Sequence, residues 1–157
     1  MFPNKLLGQN FIRCPWVTAT MIKAAELNDS DMVLEVGAGT GILTKELAKK
    51  SKKVIAIEKD KNLIVQYLTS LSNKYQNIEI IEGDVLKKFS EISTTYNLLP
   101  TTYKLVSNIP YYLTSRLLRV LLEKGPSPQT IVMTVQKEVA ERICAKPPKM
   151  NLLALSV

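Results

Sequence analysis

Short apolar runs alternate along this chain with longer segments in which apolar residues recur every three or four positions. The apolar runs predict five strands, at residues 32–35, 53–58, 78–84, 103–108 and 130–135. The periodic segments predict helices at residues 17–27, from 42 to about 50, from 60 to about 71, within 87–103, from Thr114 or Ser115 to the Gly125-Pro126 stop, and at 137–145. Nearly all-apolar strands that alternate with helices indicate an α/β fold with a doubly wound, mostly parallel, Rossmann-like sheet. The 157 residues suffice for one domain.

The first predicted strand leads into a glycine-rich turn, in which residues 35–41 read EVGAGTG. The glycines Gly37, Gly39 and Gly41 tolerate positive φ and would let a ligand approach the backbone where the next helix starts. The spacing G-x-G-x-G differs from the G-x-G-x-x-G that binds a pyrophosphate, and suits a ligand without one. Taken alone, the loop is equally well interpreted as a tight turn with no ligand.

Four successive strands are predicted to end in polar residues, namely Glu35, Glu58, Asp84 and Asn108. Ligands of such sheets bind beyond the carboxyl ends of the strands, so these side chains would line one site. A carboxylate at Glu58 could accept hydrogen bonds from both hydroxyls of a ribose. Asp84 could accept from the exocyclic amine of an adenine, or could instead cap the next helix. The set predicts a ribose-bearing adenine ligand.

The motif Asn108-Ile109-Pro110-Tyr111 follows the fourth predicted strand. Pro110 fixes its own φ and extends Ile109, so the Asn108 side-chain carbonyl and a backbone carbonyl could be held side by side. Two such acceptors would bind both hydrogens of an amino group and direct its lone pair at an electrophile. Tyr111 offers a face on which a base could stack. For the isolated motif, a strand-ending turn with a packed tyrosine is the alternative.

Composition narrows the chemistry that this chain can perform. Histidine is absent and the two cysteines lie far apart, which excludes histidine-dependent nucleophilic schemes and predicts no metal site and a reducing, cytoplasmic or organellar compartment. No apolar run reaches membrane-spanning length, so we expect no membrane partner. The 21 basic and 14 acidic residues give a net charge of +7, which suggests a polyanionic partner or merely a solvated surface.

Six blocks of the sequence occur in the same order as the motifs of the ribosomal RNA adenine dimethyltransferases, which they resemble. The blocks are residues 8–12, 35–41, 56–60, 82–86, 108–111 and 136–142. The last block, with Lys146-Pro147 after it, is more similar to the small-subunit branch than to the large-subunit, antibiotic-resistance branch. The resemblance implies that S-adenosylmethionine is used to dimethylate the exocyclic amine of adenines in small-subunit ribosomal RNA. The partner would be this RNA or the immature small subunit, bound by a monomer.

The resemblance also implies roles for individual residues. Contacts to S-adenosylmethionine are implied for Asn10, Ile12, Gly37, Gly39, Glu58, Asp84 and Asn108. Handling of the target adenine is implied for Asn108, Pro110 and Tyr111. Methyl transfer from a sulfonium depends mainly on positioning, which suits a protein without histidine. Candidate phosphate contacts are Lys5, Arg13, Lys87, Lys88, Arg116 and Arg119, although each could equally be solvated surface.

The sequence also departs from the family's pattern. Members usually continue for roughly another hundred residues, with a closing β-hairpin and a small helical domain. We expect both to be absent, so that the fold is truncated after the fifth strand and its helix, and we expect cofactor binding with poor RNA methylation. Pro148 and Leu152-Leu153 occupy usual Gly and Tyr-Gly positions. Alternatives are a non-catalytic RNA-binding or mitochondrial transcription-factor-like relative, the large-subunit branch, and a small-molecule methyltransferase.

Overall fold

The protein folds around one five-stranded, wholly parallel sheet in a computed structural model that describes residues 14–146. The strands are β1 (Met32–Val36), β2 (Lys53–Glu58), β3 (Ile78–Glu82), β4 (Lys104–Ser107) and β5 (Thr130–Met133). Their order across the sheet is β3-β2-β1-β4-β5. The predicted doubly wound parallel sheet is therefore confirmed. Within residues 14–146, β3 and β5 form the two edges.

Seven α-helices connect and cover the described strands. They are α1 (Pro15–Ala24), α2 (Ile42–Ala48), α3 (Lys61–Leu63), α4 (Thr69–Lys74), α5 (Val85–Thr95), α6 (Thr114–Glu123) and α7 (Lys137–Ile143). A π-helical stretch, Ile64–Leu68, joins α3 to α4, and a 3₁₀ turn, Tyr111–Leu113, leads into α6. The predicted cap of α6 at Thr114 or Ser115 is wrong. Thr114 is already the first residue of α6, because the helix continues directly from the 3₁₀ turn.

Two apolar layers pack against opposite faces of the sheet. Leu34 and Ile55 point to the layer that α5 and α6 cover, whereas Val33 and Val54 point to the layer covered by α1, α2 and α4. All four side chains are fully buried. Burial of both faces explains why the strands are almost continuously apolar and not alternating.

The sheet has its topological switch point between β1 and β4. The chain proceeds outward from β1 through β2 to β3, and outward in the other direction from β4 to β5. β1 pairs with β2 at five positions but with β4 at only two. Past these pairs, the Val36 N–H donates to the buried Ser107 hydroxyl over 2.8 Å. The strands thus separate toward their carboxyl ends, where ligands of this fold class bind.

Candidate active site

A cavity opens at the switch point, beyond the carboxyl ends of the first four strands. It collects six of the residues predicted for the site, which are Gly37, Gly39, Glu58, Asp84, Asn108 and Pro110. Glu35 lines it as well, so all four predicted polar strand ends meet there. Asn10 and Ile12 lie outside the described residues, and so do the candidate phosphate contacts Lys5 and Arg13.

The glycine loop has the backbone conformation that its sequence requires. Gly37, Gly39 and Gly41 have φ values of +74°, +59° and +77°. A Cβ atom on Gly41 would lie 2.9 Å from a Leu71 methyl carbon, whereas one on Gly37 would lie 3.8 Å from Pro110 Cδ. Gly41 therefore allows α2 to pack closely on α4, and Gly37 lies beside the Asn-Ile-Pro-Tyr turn.

The N–H groups of this loop bond within the protein, contrary to the interpretation that they face a ligand. The Gly37 N–H donates to the Ile57 carbonyl over 2.8 Å, and the Ala38 N–H donates to the same oxygen over 3.3 Å. The Gly39 N–H donates to Glu58 Oε2 over 2.8 Å. The loop is thus fastened to the end of β2. It offers a ligand close approach but not the anion-binding N–H groups that a pyrophosphate needs.

Glu58 joins three backbone segments through its carboxylate and is only 8% exposed. Besides the bond from Gly39, its Oε1 accepts the N–H groups of Lys59 and Asp60, each over 2.8 Å. A carboxylate provides about four acceptor positions, so three of them are already used. One ribose hydroxyl could bond to the remaining position, and a second would have to replace the Gly39 N–H.

Asp84 divides its two carboxylate oxygens between the fold and the cavity. Oδ1 accepts the Leu86 N–H over 3.0 Å and caps α5, so the helix-cap interpretation is confirmed. Oδ2 lies 3.3 Å from the Lys59 ammonium group, in a partly exposed ion pair between the ends of β2 and β3. The oxygen that could accept an exocyclic amine is therefore not the capping oxygen.

The Asn108 side chain is oriented by a residue that sequence reasoning missed. The Thr134 hydroxyl donates to Asn108 Oδ1, while the Thr134 N–H donates to the Ser107 carbonyl over 3.2 Å. Thr134 directly follows β5, so the signal was the same as for the other sites, a polar residue at a strand end. Pro110 has φ −57° and ψ 135°, as the motif predicts for its ring.

Two adjacent tyrosines in the 3₁₀ turn differ in position. Tyr112 lines the cavity together with Arg116 of α6, whereas Tyr111 is not among the lining residues. Their exposed fractions are 44% for Tyr111 and 58% for Tyr112. Sequence reasoning selected Tyr111 and missed Tyr112 as a cavity residue. The role of Tyr111 toward an adenine stays a prediction.

Glu35 is a buried acid in the wall of this cavity. Its side chain is 1% exposed, and its Oε2 has no hydrogen-bond partner within the described chain. Burial is the main cause that raises its pKa to about 8; the Thr44 hydroxyl opposes this shift and the Glu58 carboxylate adds to it. Glu35 is therefore mostly uncharged at neutral pH.

Searches of residues 14–146 for two other kinds of feature gave negative results. No group of three or more acidic, cysteine or histidine side chains there could hold a metal ion. None of the helices in this part of the chain has the length and apolar character needed to cross a membrane.

Comparison with known proteins places the chain in a family. The family model for ribosomal RNA adenine dimethylase matches residues 3–157. A ribosomal RNA small subunit methyltransferase A from Dehalococcoides mccartyi is 44% identical over 98% of this chain and 52% of its own length. The protein of the same name from Ligilactobacillus salivarius is 40% identical over 98% of this chain and 52% of its own length.

Solved structures agree with this placement. A dimethyladenosine transferase from Plasmodium falciparum matches with a TM-score of 0.73 and 35% identity, over 87% of this chain and 47% of its own. The 23S rRNA methyltransferase ErmE gives 0.70 and 32%, over 85% and 50%. The chain thus spans about half the length of these relatives. Because the family model covers nearly every residue, the chain belongs to the ribosomal RNA adenine dimethylase family.

Proposed function

We propose that this chain is the cofactor-binding part of an enzyme that dimethylates the exocyclic amine of adenines in small-subunit ribosomal RNA. The observation that supports this most is the meeting of Asn108 with Glu58 and Asp84 in one cavity. The matching relatives from Dehalococcoides and Ligilactobacillus carry small-subunit names and exceed ErmE in identity, which favours the small subunit as the substrate.

The cavity suits S-adenosylmethionine better than a dinucleotide. The glycine-loop N–H groups bond to Ile57 and Glu58, and acidic residues form the walls, so a pyrophosphate would find no donors and adverse charge. A cationic nucleoside fits both features. Glu58 would accept from the ribose, Oδ2 of Asp84 would accept from the adenine amine, and Gly37 would admit the chain of the amino acid. When bound, this cofactor supplies a methyl group activated by a positively charged sulfur.

The Asn-Ile-Pro-Tyr turn would position the methyl acceptor. Asn108 Oδ1, held by Thr134, and a neighbouring backbone carbonyl would accept the two N–H bonds of the adenine amine. Hydrogen bonds of this kind strengthen as the amine nitrogen becomes tetrahedral and positive, so they favour the transition state. The nitrogen forms its new bond to the methyl carbon and then loses a proton to water. Tyr111 or Tyr112 would stack on the adenine, which must leave its helix to reach the cavity.

The RNA backbone would bind to basic side chains near the mouth of the cavity. Arg116 lines this mouth, and Lys88 lies across Gly83 at the end of β3. Lys87 and Arg119 are further candidates on the same two helices. Phosphate contacts of this type provide affinity without base specificity, and they weaken steeply as salt concentration rises.

The test is transfer of labelled methyl groups from S-adenosylmethionine to immature small subunits, large subunits and free adenosine. We would compare the chain alone with the chain joined to the second half of the Dehalococcoides relative, and use Asn108→Ala in the joined protein as the inactive control. Dimethyladenosine in the small subunit only, with a much lower yield from the chain alone, is expected. Label in large subunits would instead support the resistance branch, and label in free adenosine a small-molecule enzyme. Cofactor binding without transfer by the joined protein would support a non-catalytic relative.

A further inference from the structure

Glu35 is the one residue of the described cavity wall whose chemistry the proposed function leaves unused. It ends β1 directly beneath the glycine loop, and Oε2 is buried with no hydrogen-bond partner in residues 14–146. A buried polar atom without a partner is costly, and native proteins keep such atoms mainly where they have a role. Its place in the wall of a ligand cavity suggests that the ligand is the missing partner.

The groups that face Glu35 leave it without a counter-charge. From β2 comes a second carboxylate, Glu58, and from α2 comes only the neutral hydroxyl of Thr44. Two cations also line the cavity, Lys59 and Arg116, but Lys59 pairs with Asp84 and neither pairs with Glu35. The inner wall is therefore acidic with no fixed positive charge beside it, an arrangement that a cationic ligand would complete.

We propose that Glu35 recognises the positive charge of the bound cofactor, staying protonated in the free protein and releasing its proton to solvent when the cationic ligand enters. This inference rests on the proposed function, since S-adenosylmethionine carries a sulfonium and an ammonium group. The proton passes from the carboxyl group to the buffer, and no bond of the ligand changes. The carboxylate that forms then becomes the counter-charge of the ligand.

The same device distinguishes cofactor from product. Methyl transfer converts the sulfonium into a neutral thioether, so S-adenosylhomocysteine keeps only the ammonium charge. With less positive charge beside it, Glu35 takes back a proton and the product is held less firmly than the cofactor. Charge recognition at Glu35 would thus assist exchange of product for fresh cofactor.

Calorimetry of both ligands tests this with the chain as it exists. At pH 6.5 the α-amino group of each ligand is charged, so differences between buffers of low and high ionisation enthalpy report protons released by the protein. We expect about half a proton or more per bound S-adenosylmethionine, because opposite charge nearby lowers the pKa of a carboxyl group, and clearly less for S-adenosylhomocysteine.

Glu35→Gln should abolish the release and weaken S-adenosylmethionine about tenfold while changing S-adenosylhomocysteine by less than about threefold. Glu82→Gln, at the exposed end of β3, is the matched control and should behave as wild type. Equal release for both ligands in the wild type, or unchanged release in Glu35→Gln, would overturn the inference; the wild-type comparison decides even if the variant does not fold. Failure of the wild type to bind either ligand would remove the proposed function instead, and this inference with it.

Discussion

Replacing Glu35 by Gln should stabilise the ligand-free protein at neutral pH. Glutamine keeps the shape of the side chain but cannot ionise, so it tests whether the buried acid is held protonated. The side chain is fully enclosed, and burial is the main reason that its pKa rises from 4.5 to about 8. No other change to the cavity wall is made.

The sign of the effect follows from the protons that each state binds. Below about pH 4.5 both native and unfolded states are protonated at this position, and the favourable contribution of the raised pKa is fully present. Between about pH 4.5 and 8 only the native state keeps the proton, so stability falls by about 1.4 kcal/mol per pH unit. At pH 7 the accumulated loss is about 3 kcal/mol, and above pH 8 it stays constant. The Gln variant has no such loss.

Urea unfolding of wild type, Glu35→Gln and the Glu82→Gln control between pH 5 and 8.5 measures this directly. The free-energy difference between Glu35→Gln and wild type should increase with pH and level off near pH 8, while the control runs parallel to wild type. Parallel curves for wild type and Glu35→Gln would show that Glu35 is ionised in the native protein, and would refute the reasoning.

Three further substitutions address the binding and transfer roles. Glu58→Ala should weaken binding of S-adenosylmethionine by about 1.5–3 kcal/mol in calorimetry, the range for lost bonds to a charged group, and tighter binding of NAD would contradict the cofactor assignment. Asn108→Ala in the joined protein should slow single-turnover methyl transfer much more than it weakens cofactor binding; an unchanged rate would leave Asn108 a purely structural strand end. Tyr111→Ala should impair use of RNA and Tyr111→Phe much less, as measured by the Michaelis constant, unless Tyr112 alone stacks on the base.

The elements that were predicted well are those whose sequence signal is local. Residues 53–58 form β2 with the predicted bounds, because a fully apolar run between lysines has no other economical structure in this fold. The π-helical stretch Ile64–Leu68 was not predictable in the same way. Leu68 and Leu71 pack against Gly41 from a distant part of the chain, and such a contact leaves no periodic signal in either segment.

The site was predictable to the level of which residues meet, but not of how they bond. The rule that strand ends share one edge brought Glu35, Glu58, Asp84 and Asn108 together correctly. That Glu58 would spend three acceptor positions on backbone N–H groups depends on the path of the loop. The protonation of Glu35 depends on the burial that α1 and α2 complete from outside the motif.

The cavity and the surface have opposite charge, and this opposition explains how one chain can bind two very different partners. The net charge is +7, yet Glu35, Glu58 and Asp84 all face the interior of the cavity. A cationic nucleoside is therefore attracted inward, while a polyanion is attracted to the outside and excluded from the cofactor pocket. Lys59 and Arg116 stand at the boundary between the two regions. An adenine would have to pass this boundary as a neutral base with its phosphates left outside, which is how a methyl group can reach it without the RNA backbone entering the site.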